Sequence, residues 1–159
     1  MLITIAAVGK LKAGPEQALF DRFFKRAATS GRGLGLKFAV RELPESRTSA
    51  AAVRMEQEGA ALLAAAPPAA KLAVLDEGGK NLDSRAFAGR LLAWRDDGAA
   101  DVVFAIGGAD GHGSTLVEKA TLRLAFGTMT WPHQLVRLML AEQLYRAVTI
   151  LTGHPYHRD

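Results

Sequence analysis

The sequence predicts an α/β fold built on a mainly parallel sheet with helices on both faces, and three observations carry that expectation. The strand candidates Leu2–Val8, 36–43, 71–76 and Asp101–Ile106 are largely apolar, as strands covered on both faces are. Stretches of helical length and periodicity separate them. The joints are short and marked by Gly or Pro, which leaves crossover helices as the connections between parallel neighbours.

Taken in order, Leu2–Val8 is a buried strand stopped by Gly9, and Gly14-Pro15 opens a helix on which Leu19, Phe20, Phe23, Phe24 and Ala27 recur at helical spacing. The run Gly31-Arg-Gly-Leu-Gly35 breaks that helix, and a second strand follows over 36–43. An alanine-rich, partly exposed helix spans 48–66 and ends at Pro67-Pro68, because proline cannot supply the next helical N–H. The third strand covers 71–76, Asp83 is placed to cap a helix running through Trp94, and Asp101–Ile106 is the fourth strand, ended by Gly107-Gly108. A helix is expected over 114–125, a short fifth strand over 127–131, and a final helix from Pro132 to about Leu151.

At 159 residues and 49% hydrophobic the chain can bury a substantial core, and without a linker or repeat it reads as one domain over 1–159. It contains no cysteine, which excludes a disulfide frame, a thiolate nucleophile and a cysteine zinc site. No apolar run reaches the ~18 residues of a membrane span, and Met-Leu-Ile-Thr-Ile-Ala-Ala-Val-Gly-Lys lacks a charged leader, so a cytoplasmic protein is expected. The net charge of +4 is lopsided: residues 1–41 hold eight basic side chains against two acids. Clustered Lys and Arg suit a polyanion such as RNA, and a solvated helix face explains them equally well.

In a parallel sheet ligands bind beyond the carboxyl ends of strands. The loops there are Leu75-Asp-Glu-Gly-Gly-Lys80, Ile106-Gly-Gly-Ala-Asp-Gly-His-Gly113 and Gly127-Thr-Met-Thr-Trp-Pro132. Glycine pairs at two of them permit positive φ and close approach of a ligand to backbone, and the third can present amides and carbonyls to an adenine-like ring. Neither a P-loop nor Gly-x-Gly-x-x-Gly is present, so ATP and NAD are disfavoured. The last helix carries a polar line of Glu142, Arg146, Gln143 and Thr149 on an otherwise apolar surface, so a second subunit is expected to cover it. Beyond it, His154, Tyr156, His157 and Arg158 crowd a Gly-Pro tail that is a poor way to build a core. Metal ligation by His154 and His157 with His133 or His112 is disfavoured because no carboxylate or cysteine is spaced with them, and His112 in its glycine loop has no special claim.

These residues also carry a resemblance. Ile-Ala-Ala-Val-Gly-Lys-Leu-Lys near the start, Phe-Ala-Ile-Gly-Gly-Ala-Asp-Gly, Met-Thr-Trp-Pro-His-Gln-Leu-Val-Arg, Glu142-Gln-Leu-Tyr-Arg146 and His-Pro-Tyr-His-Arg together closely resemble the RlmH family, in order and nearly end to end. The family comprises small SPOUT-class methyltransferases of 23S rRNA. The resemblance implies a SPOUT fold with a C-terminal trefoil knot, S-adenosyl-L-methionine bound at the knot, a homodimer, and N3-methylation of a pseudouridine in a 23S rRNA hairpin loop on assembled ribosomes. Carried over by motif, the cofactor residues are Leu75, Gly107, Gly108 and Gly127, Thr128, Met129, Thr130, Trp131 and Pro132. The residues facing substrate are Tyr156, His157 and Arg158 with Glu142 and Arg146, and no metal is implied. The chain departs from the family pattern at Asp76-Glu77 and at Trp131, both in contact-forming loops.

Methyl transfer from a sulfonium is an in-line displacement in which the enzyme positions the donor and makes the acceptor nucleophilic. His157, or a water held by Glu142, is the candidate base for the N3 proton, with Arg158 or Arg146 stabilising charge on the flanking carbonyls. The competing expectations are a non-catalytic RNA- or ribosome-binding factor on the same fold and a SPOUT enzyme acting on tRNA. Three intact loops favour an enzyme over the first, and the chain's small size disfavours the second.

Overall fold

The structure is a computed structural model that describes residues 1–158; Asp159 lies outside the described residues. Strands β1 (Leu2–Val8), β2 (Lys37–Leu43), β3 (Lys71–Asn81), β4 (Asp101–Ile106) and β5 (Leu122–Ala125) form a sheet in the order β2-β1-β4-β3-β5, with every pairing parallel. Five α-helices accompany them: α1 (Pro15–Gly31), α2 (Ala51–Ala65), α3 (Ser84–Asp96), α4 (Ser114–Glu118) and α5 (His133–Leu151). The expected α/β class and two-sided helical cover are both present.

Side chains on a strand alternate between faces, and the two cores follow that alternation. Ile3, Ile5 and Ala7 of β1, with Val102, Phe104 and Ile106 of β4, face one core together with Phe20, Phe87, Leu91, Leu140 and Leu144 from α1, α3 and α5. Ala6, Val8, Val103 and Ala105 face the other, against Leu62 of α2 and Leu116 of α4. Handedness explains this sorting. The β1-to-β2 and β3-to-β4 connections move one way along the sheet and the β2-to-β3 and β4-to-β5 connections move the other, so right-handed crossovers must put their helices on opposite faces. Neighbours β3 and β4 therefore send the chain to opposite faces, and a crevice opens beyond their carboxyl ends.

Local chemistry places the helix ends. Pro15 occupies the first turn of α1, where its missing N–H costs nothing. The Asp83 carboxylate accepts from the Ala86 amide at 2.7 Å and caps α3, as expected from the sequence. Helix α5 packs on α1 and α3. Leu140, Ala141, Leu144, Ala147 and Val148 are fully buried there. Its apolar circumference is thus covered largely within the chain, and its composition does not by itself require a second copy. What stays open is a groove where Leu138 and Met139 meet Leu19, Phe23 and Phe126.

Two expected elements need correction. The helix expected over 114–125 stops at Glu118, and the fifth strand is Leu122–Ala125, whereas 127–131 is loop. Leu116, Ala120 and Leu124 recur at helical spacing, but Leu122 and Leu124 bury their side chains only by pairing with β3, with Arg123 turned outward to Asp76 at 3.1 Å. The same pairing lengthens β3 to Asn81, with a register shift between Leu75 and Lys80. The glycine pairs also act differently from expectation: neither Gly78-Gly79 nor Gly107-Gly108 has positive φ. Gly79 is required by close approach, since a Cβ there would lie 2.7 Å from the Arg123 carbonyl carbon.

Candidate active site

The crevice beyond β3, β4 and β5 is a cleft of about 440 Å³. Its walls are Leu75 to Glu77, Ile106 to His112, and Leu124 to Gly127 with Met129 to Trp131, while Gly78 and Gly79 lie off the lining. The start of α5 closes it with His133 and Val136. Seven of the nine expected cofactor residues line the cleft (Leu75, Gly107, Gly108, Gly127, Met129, Thr130 and Trp131), while Thr128 and Pro132 lie in the same loop off the lining.

Each loop is tied down by hydrogen bonds or by close backbone approach. Gly127, with φ of +100°, turns the chain after β5, and its amide donates to the Asn81 side chain at 2.8 Å. Trp131 donates its indole N–H to the Phe126 carbonyl at 2.9 Å, and Thr130 donates to Glu77 at 2.9 Å, joining the first loop to the third. Gly107 lets the second loop fold back, since a Cβ there would stand 2.6 Å from the Gly111 carbonyl oxygen. His112 holds that loop to β3 through Nε2 and the Leu75 carbonyl oxygen, 2.8 Å apart.

Helix α2 anchors the second loop from the far face, a role not expected from sequence. Arg54 donates to Asp110 at 2.6 Å and to the Thr48 carbonyl at 2.6 Å. Asp110 is held below the usual carboxylate range by that hydrogen bond. Ser114 donates to Glu56 at 3.3 Å, and buried Glu58 accepts from the Ser46 amide at 2.9 Å. The signal available was the spacing of Arg54 and Glu58, four apart on one helix face, but nothing local names their partners.

The tail forms a second constellation. Gly153, at φ of +67°, ends α5 and turns the chain back, so that the His154 amide reaches the Thr149 carbonyl at 2.9 Å. Tyr156 packs its ring 4.7 Å from that of Tyr145 and donates its hydroxyl to Glu142 at 3.0 Å. Arg146 donates twice to Glu142, at 3.0 and 2.5 Å, lies over the Tyr156 ring at 4.9 Å, and approaches His157 Nδ1 at 3.3 Å. Gln143 takes the second Glu142 oxygen at 2.8 Å and accepts from Ser84 at 3.0 Å. Burial, then the hydrogen bond to Glu142, pushes the Tyr156 hydroxyl above its ordinary value. Four of the five expected substrate-facing residues thus converge, and Arg158 follows them, exposed. Thr149 leaves the expected polar line: it is buried and donates to the Arg146 carbonyl.

Over residues 1–157 the chain matches the family described as "Predicted SPOUT methyltransferase". It belongs to the SPOUT methyltransferase family. It is similar to proteins named ribosomal RNA large subunit methyltransferase H from Bradyrhizobium diazoefficiens and from Nitrobacter hamburgensis, each 55% identical over 99% of both chains. The protein of that name from Mesorhizobium japonicum is 53% identical over the same shares.

In this SPOUT chain the tail constellation and the cleft are separate. None of Glu142, Arg146, Tyr156 or His157 lines the cleft, and from His133 to Arg146 the helix climbs about 20 Å. Among the described residues no cluster of His, Asp and Glu could hold a metal ion, and no helix is long and apolar enough to cross a membrane. One further functional support escaped the sequence. Arg137, 1% exposed, donates to the Val8 and Gly9 carbonyls at 2.5 and 2.8 Å and to Glu42 at 3.0 Å, fixing the start of α5 to the ends of β1 and β2.

Proposed function

We propose that this chain uses S-adenosyl-L-methionine to methylate N3 of a pseudouridine in 23S rRNA within the ribosome, acting in the cytoplasm as a homodimer. The observation that carries this reading is the cleft at the ends of β3, β4 and β5. Its volume suits a nucleoside-sized ligand, three loops offer backbone groups, and Asp76, Glu77 and Asp110 bring carboxylates to a site for a sulfonium cation. The orphaned, buried Nδ1 of His112 is a further acceptor in its wall. The names of the relatives supply the ribosomal RNA substrate.

The cofactor, when bound, supplies an electrophilic methyl group. Leu75, Gly107 and the 127–132 loop would hold its nucleoside, and Met129 and Trp131, 71% and 40% exposed, would cover it. The tail prepares the acceptor. Both Glu142 oxygens are engaged, Oε1 by Arg146 and Tyr156 and Oε2 by Gln143, so we read this carboxylate as the organiser of the tail. Arg146 has no acceptor, so His157 Nδ1 accepts from it and the ring's proton sits on Nε2. The Arg146 and Arg158 guanidiniums, with the His157 ring beside them, would then lie against the uracil carbonyls next to N3, favouring release of the N3 proton to solvent water and attack by the resulting anion.

Because one chain keeps its tail away from its own cleft, we read the complete site as the cleft of one protomer and the tail of another. The apolar groove at Leu138, Met139, Phe23 and Phe126 borders Glu142, which places it suitably for that contact. The trefoil knot belongs to the same reading. To leave β5 at the sheet edge and lie between α1 and α3, the chain must pass the far half of β3 and the short connection to α3, and Asn81 and Glu77 of β3 bind the passing loop. RNA would meet basic and aromatic side chains beside the tail, where Arg26 lies 5.8 Å from the Tyr145 ring that Tyr156 packs on.

The test pairs calorimetry with S-adenosylmethionine and S-adenosylhomocysteine and mass spectrometry of rRNA from cells lacking the protein. We expect micromolar binding of the cofactor pair and one missing methyl on a 23S pseudouridine, restored by the wild-type chain. No heat with either form, or unchanged rRNA, refutes the proposal.

A further inference from the structure

We infer that His112 is a positioning residue of the cleft, tying the β4–α4 loop to β3 at Leu75 and presenting a bare imidazole nitrogen to a hydrogen-bond donor of the bound nucleoside. The inference rests on the reading of the cleft as the S-adenosylmethionine site. Its basis is the geometry of one ring. Nε2 lies 2.8 Å from the Leu75 carbonyl oxygen, which can only accept, so Nε2 carries the proton. Nδ1 is then an acceptor, and it is buried with no partner among the described residues. The ring packs on Gly107, where a Cβ would come within 3.0 Å of Cε1 and 3.1 Å of Nδ1, so the glycine that admits the Gly111 carbonyl also admits the imidazole. Leu75, Gly107 and His112 all line the cleft, and one side chain thereby fixes two of its three loops.

A ribose hydroxyl or an exocyclic amine is a donor that the free nitrogen can satisfy. A protonated ring cannot serve, because the second proton would occupy Nδ1, and its charge would oppose a sulfonium. The neighbours decide which form is present. The Leu75 carbonyl, Asp76 midway along β3 and Glu58 of α2 favour the charged ring, but burial outweighs them and holds the imidazole below its usual value of 6.5. Asp110 in the same loop is engaged by Arg54. The ring is therefore neutral at pH 7, and affinity for the nucleoside falls as pH drops through the lowered value.

The experiment has two arms. In the free protein, long-range ¹⁵N–¹H correlation of the His112 ring should show the Nε2–H tautomer, titrating below the ordinary histidine range; an Nδ1–H tautomer overturns the inference. Calorimetry with S-adenosylhomocysteine between pH 5.5 and 8 then compares wild type with His112→Leu and His112→Gln. We expect His112→Leu to raise Kd about tenfold at pH 7.5, the scale of leaving a buried carbonyl unpaired. His112→Gln should recover part of that loss, because its amide can still donate to Leu75, and neither variant should show the low-pH weakening of wild type. Equal affinity and equal pH dependence in wild type and His112→Leu refute the inference. Failure of wild type itself to bind refutes the cofactor reading instead, while the tautomer arm still tests the loop tie.

Discussion

Arg137→Met should destabilise the fold by about 3–5 kcal/mol, the range for stripping one partner from a buried charged network. The guanidinium is 1% exposed, and burial lowers its pKa while Glu42 partly restores it. It donates to two backbone carbonyls at strand ends and to one carboxylate oxygen. Each hydrogen bond from a charged donor contributes about 1.5–3 kcal/mol, and the desolvation cost of the arginine offsets part of that sum. Methionine keeps most of the volume, so the loss reports polar contacts rather than a cavity. Glu42 retains the Leu11 amide at 2.8 Å and is 34% exposed at its side chain, so its charge is not stranded and most of the cost falls on the Val8 and Gly9 carbonyls. A double-mutant cycle with Glu42→Gln should therefore give a coupling of only about 1 kcal/mol. Urea unfolding with unchanged m measures the total, and a midpoint lower by roughly 10 °C is the thermal counterpart. A loss below about 1 kcal/mol would refute the claim that this arginine pins α5 to β1.

Deleting residues 154–159 should abolish methylation while S-adenosylhomocysteine affinity stays near wild type, as the cleft contains none of them; full activity would overturn the role of the tail. His157→Ala should lower the rate without removing a pH limb, since Arg146 occupies the ring's Nδ1; disappearance of an acidic limb would restore the imidazole as base. Reversing charge at Lys25 and Arg26 should weaken ribosome binding and flatten its salt dependence with cofactor affinity intact, whereas unchanged binding would return that face to solvent. The Arg54–Asp110 contact has a depressed carboxyl, so it holds above the ordinary value of 3.8 and is lost as pH falls through the lower folded value. Hydrogen exchange of amides 108–113 should accordingly rise in Arg54→Gln at pH 7; equal protection in both proteins would remove the loop-anchoring role.

By itself the sequence determined the parallel α/β sheet, because buried strands such as Asp101–Ile106 and capped helices such as α3 write their signals locally. It also located the cleft, since loops at strand ends are predictable once the strands are known. Tertiary structure decided what depends on distant partners. Leu122–Ala125 is a strand because β3 lies beside it, although the same residues continue a helical pattern. His112 looked like an incidental histidine until folding set it against a carbonyl 37 positions away, and Arg137 finds Val8 across 129 positions. The tail residues were readable as a candidate site from their chemistry, but their convergence on Glu142 required the turn at Gly153, and their separation from the cleft required the length of α5. Periodicity records which face of an element is apolar; it carries no record of which buried polar atom will meet which, because hydrogen-bond partners are chosen by the packing of the whole chain.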